Sequence, residues 1–100
     1  MSYHKMTSIS GYKQDGSYYI TIRPGHWKPS SIERLVAKSG LVRDISADHS
    51  TADMSGKGRG GYDRRFAWQG GKIVPAPLAP YMRDFNEGGD ADDVNSAYDD

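Results

Sequence analysis

Residues 29–41 read PSSIERLVAKSGL, and this stretch decides the fold. Ser30 is placed to cap a helix, its hydroxyl accepting a backbone N–H that the first turn leaves without a partner. Glu33, three residues on, completes a capping box by reaching back to the Ser30 amide. Ile32, Leu35 and Val36 then fall on one side at helical spacing. Gly40 can take the left-handed conformation that ends a helix, and Leu41 lies where it would press on Val36. The spacing predicts a helix of about nine residues with a single apolar stripe. A helix that short is not stable in isolation, so the stripe must lie on a sheet.

The residues before it supply one. From Thr7 to Arg23 the pattern is that of a β-hairpin, and Asp15-Gly16 suits a two-residue type I′ turn. That turn pairs Tyr12 with Tyr19, Ser10 with Thr21 and Ile9 with Ile22, and it puts Ile9, Ile20 and Ile22 under the helix. Tyr12 and Tyr19 then form an outward aromatic pair. Pro24-Gly25 reads as a turn, His26 as a loop residue, and Trp27 as packing on the start of the helix.

After the helix, residues 41–45 suit a short strand. Residues 46–61 lose apolar periodicity and read as a long loop, of the kind that is functional or disordered. Tyr62, Arg64, Phe66 and Trp68 share one side of a further strand. Gly70-Gly71 closes it onto Lys72-Ile73-Val74 as a second hairpin. Pro75, Pro77 and Pro80 then favour an extended surface segment, with Tyr81, Met82 and Phe85 anchoring a last turn. From Asn86 the chain is too poor in apolar residues to offset its ordering entropy. The expected architecture is α+β: a small twisted antiparallel sheet of two β-hairpins, one short α-helix packed on one face, and a disordered acidic C-terminal tail. A single domain spans residues 1–85 and the tail residues 86–100.

The chain has 100 residues, a formal net charge of zero and no cysteine. Lack of cysteine excludes disulfides, thiolate metal sites and cysteine nucleophiles. No apolar run is long enough for a membrane span, and the opening residues lack an apolar signal core. The expected location is therefore intracellular and cytoplasmic. The zero net charge hides a division. Residues 1–83 hold all thirteen Lys and Arg against six acids, which leaves +7; residues 84–100 hold the other seven acids and no base, which makes −7. A basic body with an acidic appendage points to an anionic partner.

The densest constellation is Lys57-Gly58-Arg59-Gly60-Gly61-Tyr62-Asp63-Arg64-Arg65-Phe66-Ala67-Trp68. Cations neutralise phosphates, glycines allow close backbone approach, and aromatic faces stack on unpaired bases. The same residues also suit a flexible loop leading into a strand whose Phe66 and Trp68 face the core. The G-K-[ST] ending of a phosphate-binding loop is missing. Asp44, Asp48, His49 and Asp53 form a loosely metal-like cluster, but no zinc or calcium spacing matches. His4, His26 and His49 offer general bases without any linking motif.

The reading that follows is a non-catalytic binding or regulatory protein, needing no cofactor and no metal. Its basic, Gly- and aromatic-rich surface engages nucleic acid or a nucleoprotein complex. The contact residues are Lys57, Arg59, Tyr62, Arg64, Arg65, Arg23 and Lys28, with Val94 and Tyr98 as apolar contacts in the tail. The alternative is an inhibitor or adaptor that blocks a partner protein, since Tyr, Trp and Arg dominate interface hot spots. A small metal-independent ribonuclease is a lesser alternative.

Overall fold

The computed structural model describes residues 3–53 and 61–87. Five antiparallel strands and two short helices follow in the order β1 (Tyr3–Lys13), β2 (Tyr18–Pro24), α1 (Pro29–Ser39), β3 (Leu41–Asp53), β4 (Gly61–Gln69), β5 (Lys72–Ala76) and α2 (Pro80–Glu87). The strands form one sheet in the order β2-β1-β3-β4-β5. This is an α+β arrangement with β3 at its centre.

Helix α1 buries Ile32, Leu35 and Val36 against Ile9, Leu41, Ile45, Ala47, Phe66 and Ile73. Gly40 ends it at φ 73°, its amide donating to the Val36 and Ala37 carbonyls. The expected capping box is absent. Lys28 takes the N-cap position without a side-chain bond, and Pro29 occupies the first turn. Proline is preset for that place and has no N–H to leave unpaired. Glu33 instead accepts a hydrogen bond from the Ile73 amide at 2.8 Å, tying the helix to edge strand β5. Magnitudes explain why the helix forms regardless. A missing cap costs about 1 kcal/mol, whereas burying three aliphatic side chains yields about 2 kcal/mol each.

The first hairpin is in a different register from the expected one. Tyr12 pairs with Tyr18, Gly11 with Tyr19, Ser10 with Ile20 and Ile9 with Thr21. The cause is one extra loop residue. The Lys13 amide donates to Ser17 O and the Gly16 amide to Lys13 O, so the loop is Gln14-Asp15-Gly16, with Gly16 at φ 90°. Asp15 fastens it by accepting from the Ser17 amide and hydroxyl. A slip of one residue turns every side chain over. Tyr19, Thr21 and Arg23 consequently lie on the α1 side. Tyr18, Ile20 and Ile22 face away, 56%, 55% and 61% exposed. The aromatic pair is Tyr12 with Tyr18, rings 5.1 Å apart, and the Arg43 guanidinium lies 4.4 Å from the Tyr12 ring.

Residues 46–53, expected in a loop, continue β3. Ile45, Ala47, His49 and Thr51 alternate inward, while Ser46, Asp48, Ser50 and Ala52 face the other side. Polarity masks this alternation in the sequence, because burial here follows hydrogen bonding rather than hydrophobicity. Strand β5 includes Pro75, which an edge strand tolerates.

The fold also runs past residue 85. Asn86 of α2 accepts from the Tyr62 amide at 2.8 Å and donates to the Tyr62 carbonyl, completing the β4 ladder beyond the end of β5. Met82 is buried beside it. Val94 and Tyr98 lie outside the described residues. Among those described, no helix is long and apolar enough to cross a membrane.

Gly11 sits where β1 passes a bulge in β3 marked by Asp44 at φ 52°. A Cβ there would lie 3.2 Å from both the Arg43 carbonyl oxygen and Ile45 Cγ1. Gly11→Ala is therefore expected to cost about 1–3 kcal/mol by overpacking, read as a lowered urea midpoint with unchanged slope. An unshifted midpoint would show that β3 yields freely at this place.

Candidate functional site

The site begins with a buried polar network that positions the linker between β2 and α1. His26 and His49 are both 0% exposed. Their rings stack with centroids 4.5 Å apart and planes within 3°, and the Phe66 ring meets His49 edge-on at 4.8 Å. His49 Nε2–H donates to the Trp27 carbonyl at 2.7 Å, and Arg64 Nη1–H donates to His49 Nδ1 at 2.9 Å. Those two partners dictate the Nε2–H tautomer of His49. His26 Nε2–H reaches the Ser50 carbonyl at 2.9 Å, with Asp63 Oδ2 at 3.2 Å. The Thr51 hydroxyl donates to the same carboxylate oxygen.

Thr7 completes the clamp. Its hydroxyl donates to the Gly25 carbonyl at 2.7 Å and accepts from the Trp27 amide at 2.8 Å. The linker backbone is thus held by side chains of β1 and β3, as a buried loop requires. A bulge in β4 makes the network possible. His49 pairs with Arg64 and Ser50 with Tyr62, so Asp63 is inserted between the two pairs. An extra residue lets Asp63 and Arg64 both point toward the histidines. It also separates Tyr62 from Arg64, Phe66 and Trp68, which were expected on one side.

The clamp sets the Trp27 ring in an open groove between α1 and β2. The groove has a volume of about 880 Å³ and is lined by Tyr19, Arg23, Trp27, Lys28, Arg34 and Lys38, with Ser31, Leu35 and Ser39 at its base. No carboxylate is among the described residues that line it. Arg23 lies 5.8 Å from the Trp27 ring and Lys13 lies 5.3 Å from the Tyr19 ring. Trp27 Nε1–H donates to the Pro24 carbonyl, which fixes the indole's rotation. A hydrogen bond with Ser39, aided by Thr21 and Arg23, holds the Tyr19 phenol below its ordinary value. Four cations with no carboxylate among the described lining residues make the field at this surface positive.

The residues expected to form the site do not gather. Arg23 and Lys28 line the groove. Arg64 is drawn into the histidine network. Arg65 pairs with Asp48 across the strands on the opposite face and donates to Pro77 O. Tyr62 is also on that face, its ring 5.9 Å from Tyr81 of α2. Lys57 and Arg59 lie outside the described residues. Sequence reasoning missed Tyr19, Trp27, Arg34 and Lys38 as a set. The signal available was the i, i+4 spacing of Arg34 and Lys38 on the exposed side of the helix.

Strand geometry also separates Asp48 from His49 onto opposite faces, and among the described residues no three His, Asp or Glu side chains assemble as a metal site. A ribonuclease using His26 or His49 needs an imidazole that solvent can reach, and both are sealed in the core.

Asp48 and Asp63 are held away from water. Burial pushes the Asp48 carboxyl up to about 6, opposed by Arg65 and reinforced by the charge of Asp63. Asp63 is raised by burial against the pull of Thr51, His26, Arg64 and Lys5. One oxygen of each carboxylate is buried without a hydrogen-bond partner among the described residues. A raised acid favours the protonated folded form. Its stabilising contribution is complete below the ordinary value of 3.8 and is lost as pH climbs through about 6. Asp48→Asn is therefore expected to stabilise the protein by about 1–2 kcal/mol at neutral pH, a figure reduced for residual solvent screening, and by almost nothing near pH 3.5. Melting temperatures of the two proteins across pH 3.5–7.5 check this; a gap that fails to grow with pH would contradict it. No family model, curated protein or solved structure matches the chain.

Proposed function

We propose that the protein is a non-catalytic binding module that takes single-stranded nucleic acid in the groove between α1 and β2. The observation that carries this reading is the lining itself: four cations and two aromatic rings on one surface, with no carboxylate among the described lining residues. Cations hold phosphates by releasing counterions, and Tyr or Trp faces accept any base. The groove is open, as a site for a passing strand must be.

The expected behaviour is quantitative. Four phosphate contacts at about 0.7 each give a slope near −3 for log K against log salt. Anisotropy titrations of labelled oligo-dT and oligo-rU at several salt concentrations test this, with duplex of equal length expected to bind more weakly. Absence of binding at about 50 mM salt, or a slope near zero, would overturn the reading.

A second reading is favoured by a separate observation. Tyr18, Ile20 and Ile22 stand exposed on the far face of β2, beside a shallow cavity of about 290 Å³ lined by Ser8, Ile22, Ser50, Ala52 and Tyr62. That uncharged surface suits a protein partner and an inhibitor or adaptor role. Ile20→Lys with Ile22→Lys separates the readings. Such a pair abolishes capture of a protein partner but leaves oligonucleotide binding intact.

A further inference from the structure

We propose that β2 pairs with β2 of a second copy of this chain, antiparallel about Ile20, and so forms a two-fold dimer with one continuous sheet. Among the described strands β2 pairs with β1 alone and is an edge of the sheet. The bonds at its two ends fix which backbone groups face outward. The Lys13 amide donates to the Ser17 carbonyl, and the Gly25 amide donates to the Lys5 carbonyl. Bonded and non-bonded pairs alternate between antiparallel strands, so Tyr19, Thr21 and Arg23 turn their amides and carbonyls toward β1. Those of Tyr18, Ile20 and Ile22 therefore point away from it. Pro24 ends the row, having no N–H and a carbonyl that already accepts from Trp27 Nε1.

The side chains make the same strip self-complementary. Edge strands are ordinarily guarded by charges or prolines along their length. Arg23 is the sole charge on β2 and Pro24 closes it, while Tyr18, Ile20 and Ile22 stand more than half exposed on the face away from α1. Pairing about Ile20 satisfies every outward amide and carbonyl of those three residues. It sets Ile20 against its own copy and Tyr18 against Ile22 of its partner. A shift of one residue turns the apolar face over. A shift of two opposes Tyr18 to Pro24 in one direction and Ile22 to the turn at Gly16 in the other. Charge agrees with the central register. It brings Arg23 opposite the partner's Ser17, whose amide and hydroxyl hold the Asp15 carboxylate. An interface of this kind is isologous and closes at two copies. Its two-fold axis is perpendicular to the sheet, so both α1 helices share one face and the two α1–β2 grooves flank the seam. Their joint use by one long strand rests on reading the groove as the nucleic-acid site; the pairing of β2 does not.

The full chain tests this by sedimentation velocity and by cross-linking. Monomers should give way to dimers between about 5 and 200 µM, as suits an interface below about 1,200 Å². Ile20→Lys sets two ammonium groups face to face and should remain monomeric throughout, with an unchanged circular dichroism spectrum. The chain has no cysteine, so single cysteines report the register. Facing residues of a bonded pair have Cα atoms about 5.5 Å apart, within disulfide reach. Ile20→Cys should therefore cross-link under mild oxidation at least tenfold faster than Tyr18→Cys, whose two copies are offset by about 13 Å along the seam. A full chain that stays monomeric at about 200 µM, dimers that survive Ile20→Lys, or equal cross-linking of the two cysteine variants would each overturn the proposal. Short oligo-dT should bind Ile20→Lys as it binds the parent. Binding without dimers overturns the pairing and leaves the groove reading in place; dimers without binding do the reverse.

Discussion

Arg34→Glu combined with Lys38→Glu should lower affinity for oligo-dT by about 100-fold at about 50 mM salt, and flatten the salt slope by about 1.4. Both side chains are exposed on α1 and neither is a member of the buried apolar core. Reversing them replaces two phosphate attractions with two repulsions. Substitutions at such exposed positions move stability by about 0.5 kcal/mol or less, so the loss of binding should come without unfolding. The matched control is Lys72→Glu with Arg83→Glu. It makes the same change in net charge at exposed positions outside the groove. If binding responds to charge as a whole, the two pairs behave alike; if the groove is the site, only the first pair fails. Circular dichroism and anisotropy on the same samples decide between these outcomes.

His49→Ala should be the most damaging single change to the fold, costing about 3–4 kcal/mol. It removes the donor to the Trp27 carbonyl, the acceptor for Arg64, the stacking surface of His26 and the ring against Phe66. The cost is large because buried partners are left without bonds, not because one hydrogen bond is strong. For a domain of this size each 1 kcal/mol shifts the melting temperature by about 4–8 °C, so a fall of about 15–25 °C is expected. His4→Ala, on an exposed part of β1, should leave it unchanged. A stable His49→Ala protein would mean that the polar network is ornamental to the fold and that something else places Trp27.

The two halves of the account differ in how far the sequence discloses them. Helix α1 could be read because its determinants are local: an apolar stripe and a glycine after it, which suffice although the capping box read at its start does not form. The hairpin could be recognised, but its register turned on whether Gln14 joins Asp15-Gly16 in the loop. That single residue decides whether Ile20 and Ile22, or Tyr19 and Arg23, face the helix. The error mattered for function, since it turned Tyr19 away from the helix side, where it lines the groove beside Arg23.

Strand β3 was half visible for a different reason. Its inward series Ile45, Ala47, His49 and Thr51 alternates, but only Ile45 is a strong hydrophobe. His49 and Thr51 are buried because Trp27, Arg64 and Asp63 satisfy their polar atoms, and those partners lie 12–22 residues away in sequence. No local pattern reports a bond of that span. The charge division between body and C-terminus was correct as a count, but it could not say which cations share a surface. Arg64 and Arg65 adjoin in sequence and are committed to opposite faces of the sheet. Arg23 and Arg34, eleven residues apart, line one groove.

The most direct test uses the groove's own indole. Trp68→Phe leaves Trp27 as the sole tryptophan of the full-length protein. Titration with oligo-dT at low salt should quench its emission in step with the rise in anisotropy of the labelled strand, and Trp27→Ala should weaken binding by about 1–3 kcal/mol, the value of one base stacked on an aromatic ring. Saturable binding with unaltered Trp27 emission and an unaffected Trp27→Ala variant would place the strand elsewhere on the protein and contradict the account.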